Sequence, residues 1–91
     1  MALLVSCTHK SPESDPYFAV TDVGGKRRDG SSWHAPVDIA ISEIEAGTQT
    51  YYVNVNGLTP NLVIASKGGR KYLKAPFDPD IPATLLGLPS C

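Results

Sequence analysis

The chain has 91 residues, a formal net charge of -1, 42% hydrophobic and 19% charged residues. This balance excludes a disordered polyelectrolyte, and the longest apolar runs, about four residues, are far short of the ~20 that a membrane-spanning helix needs. A single domain over residues 1–91 is expected, burying roughly 60–65% of its unfolded surface, so the core is thin and a homodimer or larger homo-oligomer is expected to help cover it.

In chain order, residues 2 to 7 (ALLVSC) read as a first strand. "LVSC" has the look of a lipoprotein cleavage box, but the basic n-region and apolar core of a signal peptide are missing. The expectation is therefore a cytoplasmic protein whose two cysteines are thiols. Ser11 to Pro16 is a polar, proline-bounded loop. "YFAVTDV", 17 to 23, is aromatic and β-branched and reads as a second strand. Gly24 to Ser32 reads as a polar loop.

The clearest element is a helix starting at Pro36, where a missing N–H does no harm. Asp38 falls in its first turn, Val37, Ala40, Ile41 and Ile44 share one stripe, and Gly47 supplies a C-cap. Ile39 projects from the polar face. "YYVNVN", 51 to 56, alternates as a strand, and Asn56-Gly57 signals a hairpin, although Pro60 suggests a loop longer than two residues. "LVIAS", 62 to 66, is apolar on both faces, as a central strand is. Gly68-Gly69 then turns the chain into "RKYLKA", 70 to 75. Residues 76 to 91 form an irregular, proline-rich tail whose "LLGLPSC" end packs back on the body. The order β-β-α-β-β-β gives the α+β class: a mainly antiparallel sheet of four to five strands with one helix on one face.

The charge is balanced in total but segregated in place. Seven of the eight basic residues lie in Lys26–Arg28 and Lys67–Lys74, each next to a Gly-Gly pair. Glycine turns expose backbone N–H groups, and flanking Arg and Lys supply charge and bidentate donors for phosphate. "KGGRK" lacks the spacing and the helix of a P-loop, and a plain Gly-Gly hairpin with solvated charges is the favoured reading of this turn taken alone. If both loops lie at one end of the sheet, they form one cationic rim. Trp33, Tyr51, Tyr52 and Tyr72 are candidates to stack on a base, with Asn54 and Asn56 sharing a face with Tyr52; core packing is the alternative for such side chains.

"WHAPVDIAISEIEAGTQTYYVNVNG", then "VIASKGGRKYLKA", then the closing "LLGLPSC" resemble the bacterial domain-of-unknown-function family numbered 3892. The resemblance spans about residues 20 to 91. It is carried by Trp33, Ile41, Ile44, Gly47, Tyr52, Val53, Gly57, Gly69 to Lys74, Leu86, Leu88, Pro89 and Cys91. Ala75 and "PFDPDIPA" depart from the pattern. The resemblance implies a small bacterial or phage-borne cytoplasmic domain and implies no activity.

Cys7, His9, His34 and Cys91 are the only thiols and imidazoles. They have no C-x₂-C or H-x₃-H spacing, so neither a metal nor another cofactor is expected. No nucleophile motif is present, and Asp78 and Asp80 read as solvated loop residues, so no enzyme is expected. The expected function is a non-enzymatic binding module for a phosphorylated, nucleotide-like small molecule. Its ligand residues would be Lys26, Arg27, Arg28, Trp33, Tyr52, Lys67, Gly68, Gly69, Arg70 and Lys71. Size and charge layout suit a small oligomeric phage protein that sequesters a nucleotide signal, by analogy alone. A nucleic-acid-binding module using the same loops and a protein-protein interaction module are the alternatives.

Overall fold

A computed structural model describes residues 2–11 and 15–91. Met1 and residues 12 to 14, part of the expected Ser11–Pro16 loop, lie outside the described residues. The fold is α+β, with mainly antiparallel sheets on which one longer helix packs. In order, the described elements are β1 (Ala2–Leu4), β2 (Cys7–Lys10), β3 (Val20–Lys26), β4 (Ser32–Pro36), α1 (Val37–Ala46), β5 (Thr50–Tyr52), β6 (Val63–Lys67), β7 (Arg70–Lys74) and α2 (Ala83–Leu86). They divide into three small sheets: β1-β5, β2-β3-β4 and β6-β7.

One strand partner hands over to the next at the N-terminus. β1 pairs parallel with β5, and the Val5 N–H continues that ladder to the Tyr52 carbonyl at 2.8 Å. The next N–H, of Ser6, turns to the Gly24 carbonyl at 2.9 Å. β2 then runs antiparallel to β3, which runs antiparallel to β4. The expected single strand over 2–7 is thus split between two sheets.

The strand expected at 17–23 is displaced. Tyr17 and Phe18 sit in a turn closed on Asp15, whose carboxylate accepts from the Tyr17 N–H at 3.0 Å and whose carbonyl accepts from the Phe18 N–H at 3.2 Å. β3 begins at Val20 and runs through Gly24, Gly25 and Lys26, so the expected loop at 24–32 shrinks to residues 27–31. Gly24 and Gly25 are strand residues because neighbours occupy the space a side chain would take. A Cβ on Gly25 would overlap the Leu4 carbonyl oxygen of β1 and lie 3.2 Å from the Trp33 Nε1. A Cβ on Gly24 would lie 3.0 Å from Cys91 Sγ and 3.0 Å from the Trp33 carbonyl.

α1 follows its pattern. Asp38 occupies the first turn, Ala40 and Ile41 are buried, and Val37 and Ile44 pack beside them. Gly47 adopts a left-handed φ of 74°, and the Thr48 N–H closes onto the Glu43 carbonyl at 3.1 Å, a Schellman-like end. Ile39 is 51% exposed. The core beneath the helix joins Val5, Val23, Trp33, Ile41, Tyr51 and Leu73. Burial first, then the Glu43 carboxylate, holds the Tyr51 phenol above its ordinary pKa.

Asn56 and Gly57 close a two-residue turn, with φ of 53° and 85° and reciprocal bonds between Val55 and Leu58 at 2.8 and 2.9 Å. Pro60 does not lengthen the turn, because only its carbonyl is used, accepting from the Val53 N–H at 3.2 Å. With no N–H to return, the strand expected over 51–56 is regular only to Tyr52. Residues 62–66 do not form a central strand: the Leu62 N–H reaches the Tyr51 carbonyl at 2.7 Å, but among the described strands β6 (63–67) is in a sheet with β7 alone, and Val63 is 37% exposed. Gly68 and Gly69, at φ of 61° and 83°, form the expected hairpin turn.

The tail is more ordered than the proline count suggests. Asp78 is buried, not solvated. Its carboxylate accepts from the Ala75 N–H (3.1 Å), the Thr84 N–H (3.3 Å) and the Thr84 hydroxyl (2.8 Å), tying the end of β7 to the start of α2. Leu85 of α2 is fully buried. Beyond it, the Thr8 N–H donates to the Pro89 carbonyl at 3.0 Å and the Cys91 N–H to the Thr8 carbonyl at 3.1 Å. This strap sets the Cα atoms of Cys7 and Cys91 5.0 Å apart, and their sulfurs are bonded. The two cysteines are therefore a disulfide, not the expected pair of thiols. Closing a loop across 84 residues restricts the unfolded chain by about 4–5 kcal/mol in the chain-entropy picture.

Gly25→Ala is expected to cost about 1–3 kcal/mol by overpacking against β1, read as a fall in Tm. Gly87→Ala, whose nearest contact is 3.5 Å away, is the control that should leave Tm unchanged. Asp78→Ala strands three donors and should cost at least about 2 kcal/mol. Amide hydrogen exchange should quicken over residues 83 to 88 and stay slow in α1.

Candidate functional site

The register of β2-β3-β4 sorts its side chains onto two faces. Residues directly opposite one another share a face, and so do alternate residues along a strand. Cys7 pairs with Gly24, which pairs with His34. His9 pairs with Asp22, which pairs with Pro36, and Lys26 pairs with Ser32. All eight residues therefore share the outer face. Thr8, Val23, Ala35, Gly25 and Trp33 share the inner face, where Thr8 and Val23 are fully buried.

Gly24, at the centre of the outer face, leaves a notch, and Cys91 Sγ occupies it. The point a Gly24 Cβ would take is 3.0 Å from that sulfur and 3.2 Å from His34 Cβ. The disulfide thus lies over the glycine with His34 across from it. Around it opens a cleft of about 450 Å³ lined by Ser6, Cys7, His9, Gly25, Lys26, Ser32, Trp33, His34, Ser90 and Cys91. His34 Nε2 stands 3.3 Å from Asp22 Oδ2, and the His9 and His34 rings are 6.1 Å apart. Among the described residues the lining holds one lysine, two imidazoles and three serine hydroxyls, and no acidic side chain.

The sequence-predicted ligand residues separate into distinct places. Lys26 lines this cleft at the end of β3. Arg27 turns onto its own hairpin, donating to the Ser32 carbonyl at 3.3 Å, and Arg28 is exposed at the turn. In the same turn Ser31 donates to Asp29 and holds that carboxyl below its ordinary pKa. Trp33 is not a stacking platform: it is 8% exposed and packs on Tyr51 with ring centroids 5.6 Å apart. Among the described residues its buried Nε1 has no hydrogen-bond partner. Tyr52 is half-buried in β5 and lines neither cleft.

Lys67, Gly68, Gly69, Arg70 and Lys71 lie elsewhere. Arg70 and Lys71 line a smaller cleft of about 200 Å³ together with Tyr17, Phe18, Val20, Thr21 and Asp38. Val20, which begins β3, lines this cleft, whereas Lys26, which ends β3, lines the other, so the two basic segments serve different clefts. They do not form one rim. The cations of the second segment are also engaged. Lys67 Nζ sits 4.0 Å over the Tyr17 ring and Arg70 4.2 Å over the Phe18 ring. Lys71 pairs with Glu45 on α1, and Lys74 donates to the Asp78 carbonyl at 3.0 Å. Tyr72, whose hydroxyl donates to the Asp80 carbonyl, meets Tyr17 and Phe18 edge-on.

Sequence reasoning missed the meeting of Cys7, His9, His34 and Cys91, which are the chain's entire complement of cysteine and histidine. The first strand is expected to end at Cys7, and nothing local places His9, His34 or Cys91 beside it. Among the described residues no three His, Cys, Asp or Glu side chains group within reach of a metal ion. No helix among them is long and apolar enough to cross a membrane. No known protein family, curated protein or solved structure matches the chain.

Removing Lys67 or Arg70 is expected to weaken the contact of residues 15–18 with the β6-β7 tip by about 0.5–1 kcal/mol each. Lys71→Ala should cost under about 1 kcal/mol, since both partners of its ion pair are half exposed. Thermal melts of the three variants check both figures.

Proposed function

We propose that the chain is a non-enzymatic binding module for a small phosphorylated, nucleotide-like molecule, seated in the cleft over the outer face of β2-β3-β4. The observation that carries this reading is the lining: Lys26, His9 and His34 with the hydroxyls of Ser6, Ser32 and Ser90, and no carboxylate side chain among them. Ammonium, imidazole and hydroxyl groups are the donors that phosphate oxygens accept from, and a volume of about 450 Å³ is in the range of small-ligand sites. The β6-β7 tip supports this less well. Its cations are spent on rings and on Glu45, and its cleft also admits Asp38.

The resemblance to the family numbered 3892 stays part of this proposal and adds no activity to it. Self-association does too: Ile39, Leu58 and Phe77, each more than half exposed, are apolar surface a second copy would cover. In the cytoplasm, the expected setting, a disulfide is transient rather than permanent.

Calorimetric titration with adenosine 5′-monophosphate and with inorganic pyrophosphate tests the reading. One site per chain is expected, weakened at least about tenfold by Lys26→Ala, the loss of one charge-assisted contact, and unchanged by Lys67→Ala or Arg70→Ala. Absence of binding by either probe and by a nucleotide panel at millimolar concentration would sink it. Binding of single-stranded DNA instead, falling steeply with salt, would move the assignment to nucleic acid.

A further inference from the structure

We infer that Cys7–Cys91 is an exchangeable disulfide, a site at which low-molecular-weight thiols react, with His34 and Asp22 as the pair that supports the Cys91 sulfur. This goes beyond anion binding and does not depend on it. The geometry has four parts. Cys91 is an exposed residue while Cys7 is half-buried in β2, so an incoming thiol meets the Cys91 end of the link first. Both cysteines line the cleft. His34 crowds the same Gly24 notch, and its Nε2 lies 3.3 Å from the Asp22 carboxylate. His9 and Lys26 stand on the same face and line the same cleft. Thiolates are stabilised by neighbouring imidazolium and ammonium groups, and reactive cysteines occupy such electropositive, partly open settings.

The exchange balances as follows. A small thiolate attacks Cys91 Sγ, the Cys7–Cys91 bond breaks, and Cys7 leaves as thiolate, giving a mixed disulfide between the small thiol and Cys91. A second small thiolate attacks the outer sulfur of that mixed disulfide. The small disulfide leaves, and Cys91 becomes a thiolate in the cleft that His34 also lines. Two small thiols are oxidised to one disulfide and the protein disulfide is reduced to two thiols, the protons of the small thiols ending on the two protein sulfurs. The reverse sequence re-forms the protein disulfide at the expense of a small one.

The strap makes the exchange reversible. Its contacts do not need the S–S bond. The Thr8 N–H to Pro89 carbonyl, the Cys91 N–H to Thr8 carbonyl, and Lys10 Nζ to the Leu88 carbonyl at 2.6 Å all hold the tail on β2. Leu85, fully buried, anchors the segment from within. The two thiols of the reduced protein stay side by side and can close again.

The test incubates the full chain with reduced and oxidised glutathione in graded ratios, quenches with acid, and reads intact mass and peptide maps. The expected result is complete interconversion without denaturant, a glutathione adduct mapped to Cys91, and a reduced form with an intact thermal transition. His34→Ala should slow reoxidation about tenfold at pH 7 and move the rate–pH profile to higher pH, and Asp22→Asn should do so to a smaller extent. The reduced His34→Ala variant should melt as the reduced wild type does, because the His34 side chain is 60% exposed. A disulfide that opens only in denaturant would overturn the inference. So would a His34→Ala variant with the wild-type rate and pH profile, or an adduct confined to Cys7.

Discussion

Two adjacent positions without side chains govern this molecule. Gly24 and Gly25 point to opposite faces of the same strand, so the pair thins β3 on both sides at once. Below, the space at Gly25 admits the Leu4 carbonyl and the Trp33 indole, which lets β1 lie close to the three-stranded sheet. Above, the space at Gly24 admits the Cys91 sulfur and lets the C-terminal strap lie flat against β2. A side chain at either place would push apart elements that are distant in sequence. The core around Tyr51 and the cleft around the disulfide both depend on this thinning.

The same pair shows why part of the fold was legible and part was not. Local signals were reliable where one element decides its own conformation. The helix stripe of Val37, Ala40, Ile41 and Ile44 ending at Gly47 is such a case, and so are the turns at Asn56-Gly57 and Gly68-Gly69, where consecutive positive φ angles call for those residues. Gly24-Gly25 has the same letters as Gly68-Gly69 and a different cause. One pair is needed for a left-handed backbone, the other for close approach by β1 and the strap. Sequence shows only the letters, so β3 read as ending at Val23 when it continues to Lys26.

The two basic segments that the sequence singles out have different surroundings. Lys26 does line the larger cleft, whereas the tip at Lys67–Lys71 holds its charges against Tyr17, Phe18 and Glu45. A run of cations shows where positive charge lies and says nothing of whether rings and carboxylates from other elements already take it up. The Cys7–Cys91 link was out of reach for a related reason. Its partners are 84 residues apart, and the distance is closed by backbone bonds between Thr8 and residues 89 and 91, which no spacing rule reports.

That link also changes what a break in the backbone means. Every peptide bond between Cys7 and Cys91 belongs to a covalent ring. A single cut at an exposed turn, such as residues 27–31 or 56–57, leaves both pieces joined in one molecule. The nicked chain gains new ends without dissociating, and its pieces part only when the sulfurs are also released. Cleavage and reduction, each tolerable alone, together take the molecule apart.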